Sequence, residues 1–224
     1  MEEWLQTVSI PGQATMFCTE YYSALEDTDF EIGPHPLLLP NTDWAAEIKK
    51  MRELFPSAKS WRSHSLVFSQ VLAIELPQMG YTRVSTSEDY FNPNPNVSFN
   101  PWGVYQFPIF YMDNADFDRQ RRFEAFKPAI FDKALIKNAI HGEGTYVFDF
   151  HPIHIMLNTP NFDFYAKTRD DFKAGVPIDE LRHQGYGVGT FFSELCQAMK
   201  EENKPSFTFE AAQEHLFPNA DIIA

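Results

Sequence analysis

Cysteine is scarce in this chain: Cys18 and Cys196 are its only two, too few for a disulfide framework, so a reducing compartment is expected. Basic residues are short as well. Eighteen Lys and Arg stand against 31 Asp and Glu, a formal net charge of -13, and that sign opposes the positive footprint of a nucleic-acid binder. No nucleic-acid partner is therefore expected. No apolar run approaches the roughly 20 residues of a membrane-spanning helix, so no transmembrane segment is expected. The chain opens Met1-Glu2-Glu3, acidic where a secretory signal is basic, and a cytoplasmic location follows as the expectation. A pair of carboxylates set for glycosidic cleavage is also missing from the pattern.

What the chain does have is length and rings. Its 224 residues, 44% of them apolar, suffice for one globular domain that buries roughly 70% of its unfolded surface. Aromatics reach 16%, with 22 Phe, 9 Tyr and 4 Trp. Such rings fill cores, and they also offer flat apolar faces to a sugar.

Period and punctuation read as alternating short strands and helices. Gln13–Cys18 and Phe30–Gly33 suit buried strands, and Asp43–Phe55 carries helical spacing behind an Asp43 cap. Ser69–Met79 is a helix stopped by Gly80, followed by a strand at Tyr81–Ser85. Asp89–Trp102, with Asn92-Pro93-Asn94-Pro95-Asn96, is a loop. A strand broken at Pro108 covers Val104–Met112, a helix covers Phe123–Ile140, and Gly144–Phe150 is the clearest strand. A helix at Gly189–Glu202, a strand at Ser206–Phe209 and a helix at Glu210–Leu216 complete the chain. Alternation without internal repeats predicts an α/β fold with parallel strands, and about seven strands favour a TIM-like barrel over an open sheet.

In such a barrel the chemistry sits at the carboxyl ends of strands. His35, His64 and His151 fall there, with His154 a step further, whereas His141, His183 and His215 read as surface residues. Neutral imidazoles gathered at one level suit a zinc-like metal with an open water position. Among acids, Glu31 shares a strand face with Gly33 and His35, Asp149 precedes His151 by two, and Asp27 and Asp29 fall at the opposite ends.

The ordered segments Ile10-Pro11-Gly12-Gln13-Ala14-Thr15-Met16-Phe17, Glu31-Ile32-Gly33-Pro34-His35-Pro36, Trp61-Arg62-Ser63-His64-Ser65-Leu66, Gly80-Tyr81-Thr82 and Phe148-Asp149-Phe150-His151-Pro152 carry a resemblance. Together with Gly189-Thr190-Phe191-Phe192 and Phe207-Thr208-Phe209-Glu210, they resemble the polysaccharide deacetylase superfamily, NodB-like carbohydrate esterases. The His-Ser-Leu and His-Pro-Ile-His variants are similar to the branch associated with O-antigen and surface-polysaccharide genes.

The resemblance implies a distorted, incomplete (β/α)7 TIM-like barrel spanning residues 1–224 as a single domain. It implies a divalent-metal hydrolase, zinc foremost, that removes an N-acetyl group from a carbohydrate. His35 matches the metal histidine, Arg62 the arginine that orients a catalytic aspartate, and His151 the general acid. Two departures accompany it. The family's first strand, with its paired aspartates, would precede Trp4 and is absent from the sequence. Leu39 stands where a second metal histidine is usual, so that His64 or His154 takes its place. The rival reading is a non-catalytic carbohydrate-binding or assembly protein on the same scaffold, and a third is a metal-dependent hydrolase of another bond.

Overall fold

The structure is a computed structural model, described here for residues 10–25, 28–122 and 130–218. Its strands are β1 (Thr15–Cys18), β2 (Glu31–Pro34), β3 (Ser60–Trp61), β4 (Arg83–Val84), β5 (Ser98–Phe99), β6 (Tyr105–Gln106), β7 (Ile109–Met112) and β8 (Val147–Asp149). The helices are α1 (Trp44–Leu54), α2 (Gln70–Gln78), α3 (Asp113–Arg122), α4 (Lys133–His141), α5 (Pro152–Leu157), α6 (Phe162–Lys173), α7 (Ile178–Leu181), α8 (Val188–Glu201) and α9 (Phe209–Leu216). No helix among the described residues is long and apolar enough to cross a membrane. The chain folds as two compact units. Among the described residues, one comprises 12–25, 28–88, 96–109 and 205–218, and the other 10–11, 89–95, 110–122 and 130–204.

The first unit is built on parallel pairing. β1 pairs β2 with Thr15 opposite Glu31. Beyond the end of β2 the backbone continues the ladder, as the Arg62 N–H donates to Pro34 O (3.3 Å) and the His64 N–H to Pro36 O (2.9 Å). β3 pairs β4, and β4 pairs β6, both parallel, while β5 lies antiparallel on β6. The helices between the strands are stopped and started by local chemistry. Asp43 accepts from the Ala46 N–H (3.1 Å) to cap α1, and Ser69 accepts from the Leu72 N–H (3.3 Å) to cap α2. Gly80, at φ +83°, lets the chain leave α2 through a conformation that other residues resist.

The amino ends of these strands hold a buried polar cluster. The Glu31 carboxylate accepts from Thr15 Oγ1 (2.8 Å), from Ser60 Oγ, from the Arg83 guanidinium (3.3 Å) and from the Glu210 N–H in the first turn of α9 (3.1 Å). Arg83 also reaches Glu210 (3.0 Å), Gln213 (3.1 Å) and Ser60 Oγ (2.9 Å). The sequence places Glu31 on a face with His35, among candidate catalytic acids. The structure instead makes it a clamp between strand ends and a helix N-terminus, where backbone N–H groups favour an anion.

The second unit pairs β7 with β8 and surrounds them with α3 to α8. Its core is aromatic: Tyr111 lies 5.1 Å from Phe191 and 5.7 Å from Phe148, and Phe110 meets Tyr146 edge-on at 4.9 Å. Behind α5 the chain turns at Asn158, which has φ 49°. The Asn158 amide donates to the carbonyls of His183 (3.0 Å) and Gly185 (2.8 Å) and accepts from the Thr190 N–H (2.9 Å). Gly187 sits so close that a Cβ there would lie 2.0 Å from the Asn158 carbonyl oxygen.

Several sequence expectations change. The clearest strand shrinks to Val147–Asp149, because its flanks are drawn into turns and into the cap of α5. Phe209 opens α9 rather than closing a strand, and only Ser206 pairs, with Gly12. The helix expected over Phe123–Ile140 is found as Lys133–His141, and residues 123–129 lie outside the described residues, as do Asp27 and Met1-Glu2-Glu3. The α3 helix was not expected, since Asp113–Arg122 is almost wholly polar and carries no apolar stripe. The architecture is mixed α/β, and among the described residues no sheet closes on itself.

Candidate active site

Two helices begin immediately beyond neighbouring strands. β7 runs into α3, whose first residues are Asp113 and Asn114, and β8 is followed by His151, the N-cap of α5. Pairing of β7 with β8 therefore brings these side chains together. His151 Nδ1–H donates to Asp113 Oδ1 at 2.6 Å, and the His151 backbone N–H donates to Oδ2 at 2.8 Å. The Asn114 N–H completes the set at Oδ1, 2.7 Å away. With its nitrogen on Asp113, the His151 ring makes no cap bond to its own helix.

Burial and partners oppose each other at Asp113, which is fully enclosed. Desolvation alone would raise its carboxyl, but the charge and hydrogen bonds of His151, helped by the charge of His154, hold it below the ordinary carboxylate value. His154, 2% exposed, shows the reverse: burial pushes its imidazole down to about 4 against the attraction of Asp113, so the ring is neutral near pH 7. Phe117 and Tyr165 set their rings edge-on against it at 5.2 and 4.6 Å.

Asp113, His151 and His154 form the group of three among the described residues that could hold a metal ion, with candidate donor atoms within 4.8 Å of one another. Residue type and spacing suit such an ion. The hydrogen bonds argue for another use of the same atoms. A proton lies between Asp113 and His151, and both His154 nitrogens are engaged, with Asn114 Oδ1 (2.9 Å) and Thr159 Oγ1 (3.2 Å). Asp113 and His154 are enclosed, while His151 is half-buried. We read Asp113 and His151 as a carboxylate–imidazole dyad, the arrangement that fixes the tautomer and basicity of a proton-transferring histidine.

The other expected site residues lie in the first unit. His35 is half-buried, and its Nδ1–H donates to the Arg62 carbonyl at 2.9 Å. That outer contact is the one metal-binding imidazoles commonly make, and it turns Nε2 into the donor atom for a cation. His64 stands edge-on to His35 with ring centroids 5.4 Å apart. It is exposed on a turn where Ser65 (φ 55°) and Leu66 (φ 54°) are both left-handed, a conformation costing a branched residue about 1–2 kcal/mol. Two imidazoles so placed fit a divalent cation in donor type, although neither belongs to a group of three candidate ligands among the described residues.

Arg62 is buried: its Nε–H donates to the Ser85 carbonyl (3.1 Å), its Nη2 to Ser85 Oγ (2.7 Å), and its guanidinium lies 4.7 Å from the centre of the Phe17 ring. His183 and His215, expected at the surface, are half-buried and exposed, the first edge-on to Phe164 and the second stacked on Phe207. Sequence reading missed Asp113 and Asn114. A signal was present, because Asp113 directly follows the apolar run Ile109–Met112, as His151 follows Val147–Phe150.

Fold and dyad together define a candidate acid–base catalyst on an α/β scaffold. Comparison with known proteins narrows the class. The sequence model of WbmS-like polysaccharide deacetylases matches residues 3–169, a span that includes Asp113, Asn114, His151 and His154, and the chain belongs to that family. In fold it is similar to a Bordetella bronchiseptica protein described as a candidate polysaccharide deacetylase involved in O-antigen biosynthesis (WbmS). The two share 21% identity and a TM-score of 0.67 over 83% of this chain and 78% of the other. No functionally curated protein matches the chain.

Proposed function

We propose that the chain hydrolyses an N-acetyl group from a carbohydrate, a surface-polysaccharide or O-antigen sugar, with His151 and Asp113 as its acid–base dyad. The observation that carries this reading is the 2.6 Å bond from His151 Nδ1–H to a fully enclosed carboxylate. Amide hydrolysis needs a proton removed from water as it attacks and a proton delivered to the departing amine. An imidazole can do both near neutral pH. Asp113 fixes the ring so that Nδ1 carries the proton and Nε2 faces the chemistry, and its negative charge stabilises the imidazolium that forms when Nε2 takes a proton. Passing that proton to the leaving nitrogen makes the sugar amine and restores the neutral ring.

The family resemblance assigns His35 to a divalent cation, zinc by preference for imidazole, and Arg62 to support of the site; His64, edge-on to His35, is our own candidate for the second imidazole. When bound, such a cation supplies electrophilic polarisation of an amide carbonyl. A distorted barrel of the deacetylase kind, formed as one domain, completes the proposal, and the parallel pairing of β1 with β2 and of β3, β4 and β6 in turn supports it.

The test is acetate release from a panel of N-acetylated sugars and oligosaccharides, with metal content measured by elemental analysis. His151→Gln is expected to lower kcat by about 10²- to 10⁴-fold, the usual span for a lost acid–base group, and His35→Ala to lower bound metal. No acetate from any N-acetylated sugar, with sugar binding intact, would replace this reading by the carbohydrate-binding one.

A further inference from the structure

Beyond the dyad a second set of bonds leads away from His151. The Asn114 amide touches His151 Nε2 through Nδ2 (3.1 Å) and His154 Nε2 through Oδ1 (2.9 Å). An amide nitrogen has no lone pair to offer and an amide oxygen has no proton. His151 Nε2 must therefore be the acceptor and His154 Nε2 the donor. Thr159 Oγ1–H then donates to His154 Nδ1 (3.2 Å), and every donor in the series Thr159, His154, Asn114, His151 points toward Asp113. The far end of the series is held in place: Thr159 is fully buried and its N–H donates to the His154 carbonyl (3.0 Å). Asn114 itself is exposed.

We propose that Asn114 is a positioning residue for His151: anchored through Oδ1 to the buried His154, its carboxamide delivers an N–H to His151 Nε2 and, with Asp113 on the other nitrogen, fixes the plane of the imidazole and couples its protonation to the tautomer of His154. The proposal rests on His151 being the acid–base residue of the reaction proposed above. It gives His154 a task as well. A histidine that stays neutral can change which nitrogen bears its proton, and the amide makes that choice depend on His151. When His151 Nε2 takes up a proton, Asn114 N–H can no longer donate to it. The amide turns over, Oδ1 accepts from His151, and Nδ2–H now faces His154 Nε2. His154 gives up its Nε2 proton to water and takes one from water at Nδ1, with the Thr159 hydroxyl turning from donor to acceptor. The number of protons on His154 is unchanged throughout. The titratable groups facing the pair are Asp113 on α3, Tyr165 on α6 and the two imidazoles themselves.

Two-bond 1H–15N correlation of the histidine rings in the full chain reads this without any substrate. The unmodified chain is expected to show His151 as Nδ1–H and His154 as Nε2–H at neutral pH. Asn114→Leu, which keeps the shape and removes both polar ends, should release His154 into a tautomer mixture, while His151 keeps its proton on Nδ1 against Asp113. Asn114→Asp keeps the acceptor for His154 but cannot donate, so His154 should remain Nε2–H while His151 becomes imidazolium at neutral pH. Since position 114 is exposed, both variants are expected to fold, with far-UV circular dichroism as the check. Where acetate release is measurable, Asn114→Leu should lower kcat about tenfold, the effect of one lost hydrogen bond on the barrier, with KM within about twofold. The proposal is overturned if His151 is Nε2–H in the unmodified chain, or if Asn114→Leu leaves the His154 tautomer as it was. If the tautomers follow as stated and no acetylated sugar is turned over, the coupling stands and the reaction class falls.

Discussion

The cluster around Glu31 and the cluster around Asp113 are both enclosed carboxylates with a full set of donors, yet they differ in what neutralises them. Glu31 is met by a guanidinium, which stays charged at every pH a protein survives, and by a helix N-terminus. Asp113 is met by an imidazole, whose charge comes and goes. Position along the strands differs in the same sense. Glu31 opens β2 and ties Thr15, Ser60 and Arg83, the first residues of their strands, whereas Asp113 and His151 lie beyond the last residues of β7 and β8. A permanent countercharge makes a clamp, and a conditional one makes a proton exchanger. The same carboxylate chemistry thus serves stability around Glu31 and, in the function proposed above, proton exchange around Asp113.

Removing the permanent partner should have the largest effect on folding. Arg83→Met leaves Glu31 without its guanidinium in a site where Arg83 is 4% exposed, and breaking such a pair costs about 3–5 kcal/mol. Urea titration would measure the loss; a change under 1 kcal/mol would mean that the helix N-terminus alone holds Glu31. Next comes the conditional side. His154 has its pKa lowered from 6.5 to about 4 by burial, so the unfolded chain binds a proton that the folded one refuses. Stability is complete above pH 6.5 and declines as pH falls toward 4, by about 3 kcal/mol at full effect. Chemical denaturation across pH 7 to 4 should show this slope, and His154→Gln should flatten it. The smallest effect is expected at the edge of the clamp. Thr208 caps α9 by accepting from the Ala211 N–H at 3.0 Å, and Thr208→Ala should cost about 1 kcal/mol with no change in the pH slope.

Much of this was legible in the sequence where local punctuation is strong. Asp43, Ser69 and Gly80 mark helix ends that the structure keeps, and Pro108 breaks β6 from β7 as its missing N–H requires. His35, His64 and His151 stand out because imidazoles near Pro and Gly at strand ends are conspicuous. Asp113 and Asn114 did not stand out, because Asp-Asn-Ala-Asp reads as a solvated turn until its position after Ile109–Met112 is weighed. Glu31 misled for a related reason. Side-chain alternation gives the face a residue occupies, but only the register of Thr15 opposite Glu31, and the arrival of α9, tell which end of the strand it serves. Such long-range contacts leave no local trace.

That long reach has a consequence for how the chain is made. Arg83 meets Gln213 across 130 positions of sequence, Glu31 meets the Glu210 N–H across 179, and Thr15 meets the Phe209 N–H across 194. During synthesis the early strands must wait, with Glu31 and Arg83 only partly paired, until residues 208–213 have left the ribosome. The clamp then closes only when α9 arrives, and a nascent chain stalled short of Thr208 would present open strand ends to chaperones and proteases.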